Sequence, residues 1–146
     1  MACFARPLSE DDFEVLSPID QAYALKWDLE PQLSRASLSF YLRTGHSFVA
    51  MRQGRAVAFV LAQAIWNGVR PTVWASYLAA EEDDQEACEA MLEAVVKSAY
   101  DSAVYDLEVS LPCEDMTGQL ALEIKGFLLR PLKLYKRVLG SRAGGL

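Results

Sequence analysis

The fold is decided by the stretch AVAFVLAQAIWNGVRPTVWASYLA, which runs from Ala56 to Ala79. Its first part, Ala56 to Ile65, is apolar and partly β-branched, which is typical of a buried strand. Asn67-Gly68 follows, and this pair is the strongest short signal for a hairpin turn. Thr72 to Ala79 then supplies a second strand. The stretch therefore predicts an antiparallel hairpin at the centre of the fold.

The sequence before this hairpin changes from helical to extended spacing. Ser47 to Met51, followed by Gln53-Gly54, adds one more antiparallel strand. The elements predicted before it are a strand at Phe4–Pro7, a helix that Ser9 caps and that carries Phe13, Leu16, Ile19 and Tyr23, and a helix from Pro31 to Gly45. Pro18 is expected to kink or restart the first of these helices, with Ser17 as a second cap.

After the hairpin, apolar residues recur at i, i+3, i+4 and i+7, which predicts a long amphipathic helix from about Gln85 to Tyr100. The remaining predicted elements are a strand at Val104–Leu111, a helix at about Asp115–Lys125, two strands at Phe127–Leu129 and Lys133–Leu139 that bend around Arg130-Pro131, and a frayed tail at Ser141–Leu146. The fold class is therefore α/β: one domain over residues 1–146, with a mixed, twisted sheet of about seven strands and about four helices.

Composition narrows the class of protein. The chain has 146 residues, 52% of them hydrophobic, which suits one soluble domain. Its net charge of −6 argues against a nucleic-acid partner, which requires a basic face. No apolar run approaches the ~20 residues of a membrane span, and the N-terminus does not resemble a secretory signal. We therefore expect no membrane partner.

The cysteines and the histidine bear on compartment and metal binding. Cys3, Cys88 and Cys113 are an odd, scattered set, which fits free thiols and a cytoplasmic location better than a disulfide framework. With His46 as the one histidine, a Cys/His zinc site is not expected.

The order of predicted elements, β-α-α-β-β-β-α-β-α-β-β, resembles that of the GNAT-type N-acetyltransferases over nearly the whole chain. Ala90-Met91-Leu92-Glu93-Ala94-Val95 resembles the helix that follows the acetyl-CoA loop of that family, and Ile124-Lys125-Gly126-Phe127 resembles its Leu-Gly-Phe turn. Thr44-Gly45-His46-Ser47-Phe48 looks like a small bacterial branch of the superfamily whose function is not established.

The resemblance implies acetyl-CoA as cofactor and direct acyl transfer to a small-molecule or protein amine. The strand end Tyr77-Leu78-Ala79 would hold the acetyl and pantetheine parts. The amides at the start of the next helix, Gln85, Glu86, Ala87 and Cys88, would hold the diphosphate. Family members bind the acceptor between the first two helices, which here places Tyr23, Trp27 and Asp28 at that site.

Two positions of the family pattern are different here. The basic position falls on Asp83, and the glycine positions fall on Asp84, Glu86 and Cys88, so carboxylates replace the cation and the open backbone that a diphosphate needs. The family's proton-donating Tyr falls on Leu122. Two functions therefore stay open: an acetyl-CoA-dependent N-acyltransferase, or a catalytically inactive GNAT-fold binding or dimerisation module.

Glu81 and Glu82, just past the strand end, are the best-placed bases to take the proton of an amine. Their alternative is a solvated helix start. For Tyr23, Trp27 and Asp28 the alternative is core packing and capping. Cys88 and His46 are interpreted as a core side chain and a satisfied loop residue. Trp66, beside the hairpin turn, is available for a dimer contact, which leaves a homodimer open.

Overall fold

The structure, a computed structural model, describes residues 2–140. The predicted tail at 141–146 therefore lies outside the described residues. The elements in chain order are β1 (Phe4–Pro7), a 3-10 turn (Glu10–Asp12), α1 (Phe13–Trp27), α2 (Arg35–Thr44), β2 (Phe48–Arg52), β3 (Arg55–Trp66), β4 (Pro71–Ala80), α3 (Gln85–Asp101), β5 (Asp106–Val109) and α4 (Met116–Ile124).

The described strands form one sheet in the order β1-β2-β3-β4-β5. The first three pairings are antiparallel, whereas β4 and β5 are parallel, so the sheet is mixed as predicted. Helix α3 is the crossover that a parallel pair requires. The predicted central hairpin is confirmed, since β3 pairs with β4 from Ala58↔Ala80 to Trp66↔Pro71.

The turn of this hairpin is organised by the side chain of Asn67. Its Oδ1 accepts hydrogen bonds from the backbone N–H groups of Val69 and Arg70, both at 2.8 Å. Gly68 has a φ of +98°, a conformation that L side chains rarely adopt. The Asn-Gly signal thus predicted the turn correctly, although the loop has four residues rather than two.

The sheet has a hydrophobic core on each face. Helices α3 and α4 cover one face, where Met91, Leu92 and Val95 pack against Val60 and Val73. Helices α1 and α2 cover the other face with a second cluster of buried residues: Leu16, Ile19, Tyr23, Leu38, Val49, Phe59, Leu61, Tyr77 and Ala79. No helix among residues 2–140 is long and apolar enough to cross a membrane.

Two helix predictions are wrong. Helix α1 is continuous through Pro18, so Ser17 is not a cap. Helix α2 begins at Arg35 rather than at Pro31, with Ser34 as its N-cap. The reason is tertiary: the buried Asp20 carboxylate accepts the backbone N–H groups of Gln32 (3.0 Å) and Leu33 (2.9 Å), which holds that segment extended.

The sheet has five strands in the described residues, and the expected seven are not confirmed. Residues 127–140 have no regular secondary structure, although strands were expected at Phe127–Leu129 and Lys133–Leu139. The strand expected at Val104–Leu111 is also shorter, Asp106–Val109, because β4 offers it only four partners. A strand needs a backbone partner, and 127–140 has none within this chain's described residues.

Candidate functional site

The site is a notch where β4 continues beyond its parallel neighbour. β5 pairs with β4 only from Thr72 to Ala75, and the last bond runs from the Ser110 N–H to the Ala75 carbonyl at 3.0 Å. β4 continues to Ala80, paired on its other side with β3. A bulge at Ser76 shifts the register between the two parts. Beyond it, alternate backbone groups of β4 point into the notch rather than to a partner.

An open cavity of about 670 Å³ fills this notch. It is bounded by α1, the end of β4, the loop after it and the start of α4. The lining residues used below are Tyr23, Lys26, Trp27, Leu78, Ala80, Glu81, Glu82, Asp83, Cys88, Glu114 and Asp115. Five of them are carboxylates and one is a lysine, so the cavity favours a cation.

The innermost polar pair of the cavity joins Tyr23 of α1 to Asp115 at the start of α4. The Tyr23 hydroxyl donates to Asp115 Oδ2 at 2.7 Å, and Asp115 Oδ1 accepts the Gly118 N–H at 3.0 Å as the N-cap of α4. Burial, then the Asp115 hydrogen bond, raises the pKa of Tyr23, so Tyr23 stays protonated. A Cβ at position 118 would meet Asp115 Oδ2 at 3.0 Å, and glycine leaves room for this carboxylate.

Cys88 borders the cavity from the first turn of α3. Its side chain is buried in the core, and burial, with Asp115 as the next contribution, raises the pKa of the thiol to about 12. A thiol with that pKa is not a nucleophile near neutral pH. This placement agrees with the interpretation of Cys88 as a core residue. Cys3, Cys88 and Cys113 are all unpaired, as their spacing predicted.

The amide groups at the start of α3 are already hydrogen-bonded within the chain. The Asp84 carboxylate accepts the Ala87 N–H at 3.1 Å as the N-cap of α3. The Gln85 N–H donates to the Asp83 carbonyl, and the Cys88 N–H to the Asp84 carbonyl. Asp83 itself adopts a φ of +58° without being glycine. A diphosphate would have to displace a carboxylate that belongs to the protein.

Arg52 of β2 holds that carboxylate in place. Its guanidinium donates to both oxygens of Asp84, the Nη2–Oδ1 distance being 2.8 Å, and Nη2 also donates to Glu86 Oε1 at 2.9 Å. The Arg52 hydrogen bonds lower the pKa of Asp84, so this carboxylate stays charged. The cation nearest to the α3 start is thereby committed to two acidic side chains of its own chain.

The proposed bases lie at the rim of the cavity, each in an ion pair. Glu81 contacts Arg55 at 2.7 Å, and Glu82 contacts Lys26 at 3.1 Å. Both pairs are exposed to solvent, where ion pairs contribute little and exchange readily. The structure therefore brings Glu81 and Glu82 to the cavity.

The other predicted site residues divide into two groups. Tyr23, Trp27 and Leu78 line the cavity, whereas Asp28 is an exposed left-handed C-cap of α1 outside the lining. Side chains that face the core or the surface instead belong to Tyr77, Ala79, Gln85, Glu86 and Ala87. His46 is buried, with its Nδ1 at 2.9 Å from Ser98 Oγ, as expected for a satisfied loop histidine. Trp66 is exposed at the hairpin tip.

Sequence reasoning missed Asp115 and Arg52. Asp115 was placed at a helix start, but its contact with Tyr23 joins positions 92 residues apart. The Pro112-Cys-Glu-Asp spacing signals a cap, not a cavity residue. Arg52 sits in a strand, opposite a loop that no local pattern connects to it. Leu122 packs against the core, so no proton donor stands at that position.

A family model described as a protein of unknown function (DUF1999) matches residues 4–126. The crystal structure of wild-type TTHA1254 from Thermus thermophilus is 39% identical, with a TM-score of 0.79; it covers 94% of this chain and 98% of that chain. A point mutant of TTHA1254 covers the same shares of the two chains, with 38% identity and a TM-score of 0.83. No curated protein matches the chain.

More distant structures share the fold. A ribosomal-protein-alanine N-acetyltransferase from Brucella melitensis biovar Abortus 2308 is 17% identical, with a TM-score of 0.71 over 95% of this chain and 100% of that chain. A predicted acetyltransferase from Clostridium acetobutylicum, solved with acetyl-CoA, is 15% identical, with a TM-score of 0.68 over 92% and 96%. At these identities the likeness concerns the fold alone.

Proposed function

The chain belongs to the DUF1999 family, a divergent branch of the GNAT-type N-acetyltransferases, and from that premise we propose that it transfers an acyl group from a thioester to a cationic amine. The observation that carries the proposal is the notch beside β4. It combines unpaired strand backbone with a cavity of about 670 Å³. The fold is that of acyl-transfer enzymes, some of which were solved with coenzyme A derivatives.

The cavity suits an amine as acceptor. Its five carboxylates and one lysine attract a cation, and Trp27 adds an aromatic face beside them. Asp115 is the buried member of this set, and it keeps its orientation through Tyr23 and Gly118. We assign Asp115 the binding of the ammonium group of a small-molecule or protein amine.

Glu81 and Glu82 supply the proton transfer in this proposal. An amine attacks only when it is neutral, and a carboxylate at the cavity rim accepts its proton and passes it to solvent. The bound thioester supplies an electrophilic carbonyl. The chain's own part is to orient the amine, through Asp115 and Trp27, and to offer backbone donors along the end of β4.

The donor site fits only part of acetyl-CoA. The notch at Leu78 to Ala80 accommodates a thioester and its pantetheine arm. The start of α3 does not fit the diphosphate, because Asp84 uses the Ala87 amide and, with Glu86, engages Arg52. We therefore expect weak binding of acetyl-CoA, carried by the pantetheine arm.

A second candidate function, a non-catalytic GNAT-fold module, is favoured by the same closed helix start. In that case the notch is a remnant of the fold. The two candidates differ in whether an amine is acylated at any donor concentration.

The test is an acetylation assay with acetyl-CoA at millimolar concentration against a panel of small amines and lysine-containing peptides, read by mass spectrometry. We expect an acetylated amine, with kcat reduced in Glu82→Gln and the KM for the amine raised about tenfold in Asp115→Asn, the effect of one charge-assisted contact. Glu10→Gln, far from the cavity, is the matched control. Product from no amine would reject the transferase and leave the module.

A further inference from the structure

Residues 127–140, here called the tail, expose an apolar surface that the rest of the chain does not cover. Seven large apolar side chains of the tail are 71–94% exposed: Leu128, Leu129, Leu132, Leu134, Tyr135, Val138 and Leu139. Leu132, Leu134 and Val138 alternate with polar positions, which is the period of a strand. Single exposed apolar residues are common, but seven within 12 positions are typical of a surface that a partner covers.

The tail also lacks backbone partners. Between Leu128 and Gly140 its backbone makes one described hydrogen bond, from the Leu132 N–H to the Arg130 carbonyl. A stretch with strand periodicity and unpaired N–H and C=O groups is ready to add to a sheet. Phe127 packs against the core at the base of the tail, so the free part begins at a fixed point.

An unpaired sheet edge lies on the same molecule. β5 pairs with β4 on one side, and no described strand pairs with its other side. The Ser110 N–H points toward β4, where it donates to the Ala75 carbonyl. Since alternate residues of a strand direct their backbone groups to opposite sides, the backbone groups of Val109 and Leu107 face the free edge.

Charge separates the tail from the rest of the chain. Residues 127–146 hold five basic and no acidic side chains, whereas residues 1–126 hold nine basic side chains and all 20 acidic ones. Glu108 and Asp106 of β5 are among those acids. A basic strand and an acidic edge attract each other, and this pairing favours a second copy of the chain over an anionic membrane surface.

We propose that two copies of this chain exchange their tails, each tail adding as a strand to the free edge of β5 of the other copy. The exchange is reciprocal, so both tails and both edges are used and neither surface remains open for further growth. It covers the apolar face at Leu134 and Val138 and supplies partners to the outward backbone groups of Val109 and Leu107. The proposal is independent of whether the notch is catalytic.

The test combines light scattering of the full chain with amide hydrogen exchange. We expect a particle of twice the chain mass and slow exchange at the Val109 amide. In Leu134→Asp/Val138→Asp, which changes exposed side chains only, we expect the dimer dissociation constant to rise at least about tenfold because two charges would have to be buried. Exchange at Val109 should accelerate in that variant. Val69→Asp, an equally exposed apolar position at the hairpin tip, should leave both readouts unchanged.

Each other outcome rejects the exchange. A monomer with a protected Val109 amide would mean that the tail pairs with its own β5. A dimer that persists in Leu134→Asp/Val138→Asp, with Val109 unprotected, would place the interface elsewhere. A monomer that binds anionic vesicles through the tail would identify a membrane surface as its partner.

Discussion

Asp84 shows how one side chain changes what a helix start can bind. A helix N-terminus normally attracts anions through free N–H groups and its dipole. Here the anion is part of the chain: Asp84 takes the Ala87 amide and forms a bidentate pair with Arg52. The cap stabilises α3 by about 1 kcal/mol, and an external diphosphate must compete with it. Stability and cofactor binding therefore oppose each other at this position.

A second residue-scale prediction concerns His46, the one histidine in the chain. The Ser98 hydroxyl donates to the Val95 carbonyl, so its oxygen accepts from a protonated Nδ1 of a neutral ring. Burial lowers the pKa of His46. The unfolded chain therefore takes up a proton first as the pH falls below about 6.5, and the free energy of unfolding decreases until the folded pKa is reached.

Urea denaturation at pH 8, 7, 6 and 5 measures this effect. We expect the decrease between pH 7 and 5 to be reduced in His46→Asn, since that residue keeps a donor but does not titrate. Ser39→Ala, on the exposed face of α2, should retain the native slope. If His46→Asn also retains the native slope, the ring is not held neutral.

At the scale of elements, α1 carries an internal cost. Pro18 lies six residues into the helix, where it cannot donate the backbone hydrogen bond and its ring crowds the preceding turn. The helix persists because Leu16, Ile19 and Tyr23 are buried against the sheet. Tertiary packing therefore overrides a strong local signal, which is why the kink predicted from the sequence is absent.

Replacing Pro18 with Ala should raise the free energy of unfolding by about 1–3 kcal/mol, since the backbone bond is restored and the crowding removed. Chemical denaturation measures the change. Gln21→Ala, one turn later on the exposed side, is the control and should change stability by a few tenths of a kcal/mol. An unchanged or lower stability in Pro18→Ala would mean that the ring itself contributes packing that outweighs its cost.

The elements that local physics fixes were predictable. The β3–β4 hairpin, helix α3 and the mixed sheet follow from periodicity and from Asn67-Gly68. The start of α2 depends on Asp20, which lies 12 residues from its hydrogen-bond partner Gln32. The two last strands were expected from alternation alone, but alternation does not say which edge, or which chain, supplies the partner.

At the scale of the whole molecule, the site was predictable in position and less so in its members. The resemblance placed the notch at the end of β4, and Glu81 and Glu82 lie at its rim. Asp115 and Arg52 enter through contacts that span 92 and 32 residues of sequence, and no local pattern encodes such contacts.

The distribution of charge over the molecule predicts a salt dependence of the dimer. Basic tails facing acidic edges lose attraction as the Debye length shortens from about 10 Å at 0.1 M salt to about 3 Å at 1 M. We expect the dimer dissociation constant to rise with NaCl concentration in sedimentation experiments. A constant that falls with salt would instead indicate a purely apolar contact.

The central claim is that the notch of an acyltransferase is retained while its diphosphate site is closed by Asp84. Calorimetric titration with acetyl-CoA and with acetyl-pantetheine, which lacks the diphosphate, tests this most directly. The native chain should bind both weakly and with similar affinity. Asp83→Arg/Asp84→Gly should bind acetyl-CoA about tenfold more tightly, a gain of about 1–2 kcal/mol, with acetyl-pantetheine unchanged. Much tighter binding of acetyl-CoA than of acetyl-pantetheine by the native chain, lost in that variant, would contradict the account.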